Sequence, residues 1–392
     1  MPKPTRPSPL TTIPYLAFFA LLSVWAVLQP QYTWDVVGYI GASIDSTTPE
    51  LIYQQTFSAM KPILSNPANA EVQPNNPYRA DVLANPYHFA EQVPFYSIKP
   101  IYVDLIRGFH RAGLSFPKSA VAISAVASFA LAVLLWLWLS PYLGGLPLVA
   151  CCTMIMLSPN ILGLVRWATP DCLATFIAAL GFYLTLERKL YFWGCAVLTC
   201  DIWVRTDALV LAGVIFFVLW VRAKLDFPQF ASLCALSLGS YFAINHFAGN
   251  YGWPVLFFNS FLGGVTAPGE VLLHVSKSIY IHQIVRGAYM WLLSGSFALY
   301  LLLGGLAVWL NRASLYSDLV VATLATRVIC YFLYPNGDQR YTAVLFVVVP
   351  VALIIGVCRS MRAVSDSFDE QRSTRFVSGS EQPPATAVDF AQ

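Results

Sequence analysis

The stretch QPQYTWDVVGYIGASID, Gln29 to Asp45, follows directly on an apolar run. It sets Asp35 where the chain leaves that run and Tyr39 one helical turn further on. Three other short segments pair an acid with an arginine: RWATPD (Arg166, Asp171), RTD (Arg205, Asp207) and PNGDQRY (Asp338, Arg340). Each lies between apolar runs. Taken singly, such a group reads as a solvated loop end with a local ion pair, and Asp35 as a boundary marker. Four of them on one face make a charged interface suited to chemistry on a polar substrate. Two further charges, Asp201 and Arg327, sit inside apolar runs. Ionisable groups there are costly and usually face a partner or a cavity. The two can pair with each other, or Arg327 can reach a lipid phosphate.

The elements that hold these residues follow from composition. The chain has 392 residues, 57% hydrophobic and 11% charged, against about 25% charge in a soluble domain. Its mean hydropathy is +0.61. This is the profile of an all-α polytopic membrane protein. A span needs roughly 20 apolar residues, fewer where the bilayer adapts. On that measure about ten are expected, near 12–29, 119–140, 146–165, 170–186, 190–204, 207–221, 228–247, 287–310, 315–334 and 341–358. Residues 190–221 read as two spans or one. A single helix of that length would run about 48 Å, too long for one bilayer, and Arg205-Thr206-Asp207 supplies a polar turn.

Lys3/Arg6, Arg188/Lys189, Arg222/Lys224, Arg312 and Arg359/Arg362 all fall on one side of this arrangement. By the positive-inside rule that side is cytoplasmic. Both termini then lie there, and the acid and arginine groups face outward. The expected domain is 12–358, after a cytoplasmic N-terminus (1–11). The first apolar run lacks a small-x-small cleavage site and reads as a retained anchor. A mixed, polar tail (359–392) reads as disordered. The outer face carries a large first loop (about 30–118) and a second (about 247–286).

In the first loop, TTPELIYQQTFSAMKPIL and IKPIYVDLIRGFHRAG predict two juxtamembrane amphipathic helices lying on the outer leaflet. Arg107 and Arg111 read there as headgroup contacts. The Pro-, Asn- and Tyr-rich stretch between them reads as an ordered loop over the membrane. A net charge of +3 and the lack of a basic patch exclude nucleic acid. The eight cysteines form no CxxC pair and the five histidines no ligand spacing, so neither a disulfide framework nor a metal site is indicated.

In its order of motifs the chain resembles the GT-C superfamily of integral membrane glycosyltransferases. The likeness is to the bacterial branch related to protein O-mannosyltransferases and the aminoarabinose transferases of lipid A. The matching residues are Trp34-Asp35 with Tyr39, Lys99-Pro100-Ile101-Tyr102, Pro170-Asp171, Arg205-Thr206-Asp207 and Arg340-Tyr341. The likeness spans about residues 10–358 and implies a bacterial inner-membrane enzyme. Such an enzyme transfers a sugar, with inversion, from a polyprenyl-phosphate donor to an extracytoplasmic glycolipid, polysaccharide or protein.

In that reading Asp35 is the general base that takes the acceptor's proton. The leaving polyprenyl phosphate needs cations more than an acid, and Lys99, Arg205, Arg340 and Arg327 are the candidates. Asp171, Asp207 and Asp338 orient those arginines or bind sugar hydroxyls, and Arg166 joins the sugar- or acceptor-binding set. Tyr39, Tyr102 and Trp167 stack on the ring. No cofactor is implied. Many relatives carry Asp-Glu where this chain has Asp35-Val36, which argues against a metal-dependent scheme. The main rival is a transporter or flippase, which would use Asp201 and Arg327 at the midplane. Another is an O-antigen polymerase or ligase, which would rely on arginines in a late loop.

Overall fold

The computed structural model describes residues 8–269, 275–293, 296–335 and 343–378. Helix makes up 77% of the described residues, and no strand forms among them. A backbone bridge joins Gln31 to Trp167. The first helix, α1 (Pro9–Leu28), ends where Gln29-Pro30 removes the next donor. The segment that follows folds as α2 (Asp35–Ser43), α3 (Pro49–Leu64), α4 (Pro77–Ala84), α5 (Pro86–Gln92), α6 (Pro94–Ser97) and α7 (Pro100–Arg111).

The stretch expected as a loop between the two amphipathic helices is therefore largely helical. Its punctuation explains why. Asn76-Pro77 and Asn85-Pro86 each place an Asn side chain on the free amides of a new first turn, with proline at the position that needs no N–H.

Helices α2 to α7 enclose a core of their own, built from residues such as Val37, Ile40, Met60, Phe89, Tyr102 and Ile106. Burying an aliphatic side chain of that kind contributes about 1.5–3 kcal/mol. Arg107 was expected at lipid headgroups. Its guanidinium instead donates to the carbonyls of Ser43 (3.1 Å) and Ala42 (2.9 Å), closing the C-terminal end of α2.

The second half of the chain is the bundle: α8 (Phe116–Leu139), α9 (Gly145–Met156), α10 (Pro159–Arg166), α11 (Asp171–Leu186), α12 (Tyr191–Asp201), α13 (Ala208–Val221), α14 (Phe227–Phe247), α15 (Trp253–Phe261), α16 (Lys277–Leu293), α17 (Ser296–Leu310), α18 (Leu315–Leu333) and α19 (Leu345–Ser378). Among the described residues five helices are long and apolar enough to cross a membrane: α1, α8, α14, α18 and the part of α19 from Leu345 to Phe368. Helix α8 is the central one. Within its apolar window 72% of residues are buried, against 22% for α1 and α14.

The run 146–165 was expected as one helix. It breaks into α9 and α10, bent by 65°, because the residue before Pro159 is forced out of the helical region. Residues 190–221 form two helices, broken at Arg205-Thr206-Asp207 as the polar turn implied. The run 287–310 falls on α16 and α17. Helix α19 continues through Ser378, well past the boundary at 359 where disorder was expected. No glycine or proline interrupts the chain between Gly356 and Gly379.

Helices α11 and α12 pack at very short range. A Cβ on Gly194 would lie 2.1 Å from the Thr185 hydroxyl and 2.8 Å from the Gly181 carbonyl oxygen. Small residues permit that approach, as is usual between apolar helices.

Candidate functional site

Asp35 is the first residue of α2 and is half-buried. Its helix is pinned at several points. Gly38 lies under the Tyr96 ring so closely that a Cβ there would come within 2.2 Å of it. Gly41 sits against Phe89, and Arg107 closes the far end. A carboxylate on such an N-terminus is favoured by the helix dipole, and the fixed helix fixes its direction.

One turn on, Tyr39 meets Tyr96 and Tyr102 edge to face at 5.1 and 5.0 Å. Lys99 caps this aromatic group, its ammonium 5.3 Å from the Tyr39 ring and 5.9 Å from that of Tyr96. Its Nζ also donates to the Phe95 carbonyl at 3.3 Å.

The Lys99 segment is tied to the α12–α13 turn by the Ile101 amide, which donates to the Trp203 carbonyl at 3.1 Å. In that turn Arg205 forms a fork on Asp207, Nε to Oδ1 at 3.0 Å and Nη2 to Oδ2 at 2.8 Å. Its third arm donates to Asp171 at the start of α11. Asp171 is 3% exposed and Arg205 11% by side chain. The three side chains together carry one negative charge. The sequence reading gave Arg205 to a substrate phosphate, but its planar fork is committed to two carboxylates.

Arg327, on α18, is buried with its guanidinium 4.8 Å from the Trp291 ring. Asp35, Tyr39, Lys99, the Asp171–Arg205–Asp207 group and Arg327 share the wall of one cavity of about 430 Å³. Pockets of that size take small molecules. The residues come from five separate stretches of chain.

Two further spaces adjoin it. One, a pocket of about 550 Å³ beside Trp34, has Thr33, Trp34, Asp35, Arg79 and Trp167 in its wall, so Asp35 borders both. Inward, a chamber of about 80 Å³ is lined by Asp171, Arg205 and Arg327 again, with Asp201 and Thr326 added. Asp201 Oδ1 and Thr326 Oγ1 are buried there with no hydrogen-bond partner among the described residues.

Tyr102 and Arg166 are not brought to the cavity. Tyr102 is fully buried, donates from its hydroxyl to the Ala120 carbonyl at 3.3 Å, and supports Tyr39 from behind. Burial, and then the Asp35 charge, push its phenol well above the ordinary value. Arg166 donates to the Gln29 carbonyl at 2.9 Å and covers Trp25 at 4.9 Å, so it joins α10 to the end of α1. Asp338 and Arg340 lie outside the described residues.

The sequence reading passed over Arg79, Tyr96, Asn259 and Ser260, all of which line these spaces. The Asn-Pro start of α4 could have marked Arg79 as a fixed position. Nothing local singles out Asn259 or Ser260. They arrive because the segments around residues 91 and 265 clasp: the Gln92 side-chain amide donates to the Val265 and Thr266 carbonyls, and Glu91 accepts from the Gly269 amide. Among the described residues no three His, Cys, Asp or Glu side chains form a group that could hold a metal ion. Comparisons with protein-family models, with curated proteins and with solved structures find no match to this chain, so its function is argued from this geometry.

Proposed function

We propose that the chain is a membrane glycosyltransferase with about ten spans. It moves a sugar from a polyprenyl-phosphate donor to an acceptor outside the cytoplasm, with inversion and with Asp35 as general base. The observation that carries this reading is the position of Asp35 in the wall between two spaces. A base for glycosyl transfer must touch the acceptor's hydroxyl while the anomeric carbon lies beyond it. Here the donor sugar and phosphate occupy the larger group of charged walls. The acceptor enters by the outer pocket, where Trp34 and Trp167 offer rings for stacking.

Within the donor cavity, Lys99 and Arg327 are the cations that meet the phosphate as its bond to the sugar breaks. The Asp171–Arg205–Asp207 group accepts from sugar hydroxyls and holds the α12–α13 turn in place. Tyr39 stacks on the sugar ring, with Tyr102 fixing its orientation. In this reading α3 and α7 lie along the outer leaflet beneath the acceptor.

The acceptor's O–H proton passes to an Asp35 oxygen as the new C–O bond forms. The polyprenyl phosphate leaves as an anion and needs no proton at neutral pH. The rival reading, a transporter or flippase, draws on the inner chamber with Asp201 and Arg327. The charges gathered round one cavity at the end of the bundle that holds Asp35 support the interfacial enzyme over it.

The deciding experiment offers the purified chain a panel of radiolabelled polyprenyl-phosphate sugars in nanodiscs. Release or transfer by the wild type, lost in Asp35→Asn with donor binding retained, is the expected result. Turnover that survives Asp35→Asn removes Asp35 as the base. Absence of donor binding removes the enzyme reading and leaves flux measurements to test the rival.

A further inference from the structure

At the opposite end of α11 the bundle holds a second cavity of about 420 Å³, which the proposed transfer does not use. Its wall carries four cations, Lys189, Arg222, Lys224 and Arg359, and one acid, Asp318. A membrane protein ordinarily carries lysine and arginine on its cytoplasmic loops, so charge alone says little. Three further observations set this cavity apart.

The first is conformational. Among the described residues the non-glycine positions with left-handed backbone are Lys189 (φ 56), Ala223 (φ 52) and Ala313 (φ 59). They sit in the α11–α12, α13–α14 and α17–α18 turns, all three of which border this cavity. Two of these turns close as helix C-caps: the Leu190 amide donates to Leu184 and the Lys224 amide to Leu219. Glycine takes that conformation without strain, while lysine and alanine do not. Strained backbone gathers where a site demands it, and here it sets Lys189 and Lys224 at the cavity.

The second is an acceptor left over. Asp318 pairs through Oδ1 with Arg222 at 2.6 Å, but its buried Oδ2 has no hydrogen-bond partner among the described residues. Lys189 and Lys224 form no ion pair among those residues. Arg359 lies over the rings of Tyr316 (4.8 Å) and Tyr142 (5.6 Å) and donates to the Tyr142 hydroxyl at 3.2 Å and to Asn311 Oδ1 at 3.5 Å, with no carboxylate paired to it among the described residues. The cavity therefore offers spare positive charge together with one spare carboxylate oxygen.

The third is the rim. Trp193, Trp220 and Phe227 are exposed beside these turns, the aromatic belt of a lipid boundary. An occupant is thus expected to extend into the bilayer.

We propose that this cavity binds the headgroup of an anionic phospholipid of the phosphatidylglycerol type. Lys189, Lys224 and Arg359 take its phosphate, and a glycerol hydroxyl donates to Asp318 Oδ2. The site rests on the membrane placement of the bundle and is independent of the transferase reading. Basic pockets between membrane helices on that side hold such headgroups.

The test uses the full chain, released from vesicles holding equal parts of phosphatidylglycerol, phosphatidylmethanol and phosphatidylcholine, with retained lipid read by native mass spectrometry. Phosphatidylmethanol has the same charge and no hydroxyl. The expected order is phosphatidylglycerol, then phosphatidylmethanol, then phosphatidylcholine. Each of Lys189→Ala and Lys224→Ala should cut phosphatidylglycerol retention about fivefold, with thermal unfolding in phosphatidylcholine unchanged. Equal retention of the three lipids, or lysine variants that retain phosphatidylglycerol normally, overturns the site. Phosphatidylmethanol retained as well as phosphatidylglycerol overturns the Asp318 contact. Displacement of the lipid by millimolar inorganic phosphate overturns the lipid as occupant in favour of a soluble anion.

Discussion

Where α11 begins, Asp171 is 3% exposed and Arg205 11%, and Arg205 pairs with two carboxylates. Where α11 stops, Arg222 is 46% exposed and meets Asp318 alone at 2.6 Å. The first end is a buried network whose members hold one another in place. The second is a shallow, solvated cavity whose cations are aimed by strained turns. Burial makes the difference in energy. In a low-dielectric interior a lost partner leaves an uncompensated charge, while near water the same loss is screened. A site that must keep its geometry through a reaction suits the first arrangement. A site that exchanges lipid suits the second.

The largest expected effect separates the two ends by chemistry. Asp35→Asn should lower turnover about 10²- to 10⁴-fold, the usual worth of a general base, while Lys189→Ala leaves it unchanged in the same nanodisc assay. Similar losses in both would end the distinction.

Next comes stability. Arg205→Ala strands Asp171 and should cost about 3–5 kcal/mol, seen as a large fall in thermal midpoint. Arg222→Ala should move the midpoint little. A large fall for Arg222→Ala would mean the basic end is as tightly built as the other.

The helix contact between the ends gives a smaller effect with a change of sign. Gly194→Ala pushes a methyl group into Thr185 and the Gly181 carbonyl and should destabilise by about 1–3 kcal/mol. Gly213→Ala meets nothing within 4 Å and should stabilise α13 by about 0.5–1 kcal/mol. Equal effects would show that the close approach of α11 and α12 is not what limits Gly194.

The smallest effect is a pH slope at the outer end. Burial pushes the Tyr78 phenol from its ordinary 10.0 up to about 12. The unfolded chain therefore loses that proton first. The stability contributed is full below pH 10 and is lost as pH rises toward about 12. Denaturation measured from pH 9 to 11 should show a decline that Tyr78→Phe makes shallower.

Much of this was legible in the chain. The apolar runs marked the helices, and Asp35, Lys99, Asp171, Arg205, Asp207 and Arg327 were all singled out before any coordinates. Local rules failed where a partner from a distant stretch took over a side chain. Tyr102 looked like a ring for a sugar, yet α8 supplies the carbonyl that its hydroxyl binds. Arg107 looked like a headgroup contact, yet the end of α2 lies within its reach. The Asn-Pro starts of α4 and α5 were local signals and were readable, but proline-rich composition masked them.

Helix content, long apolar helices and the placing of acids and arginines at helix ends follow from the order of residue types, because hydrophobic run length and helix-breaking residues act over a few neighbours. Which charges share a cavity, that Arg205 is spent on Asp171 and Asp207, and that Asp35 borders two spaces were decided only when α2, α7, α11, α13 and α18 came together. Those facts depend on contacts between residues tens to hundreds of positions apart, and no local pattern encodes the direction in which each side chain meets its partner.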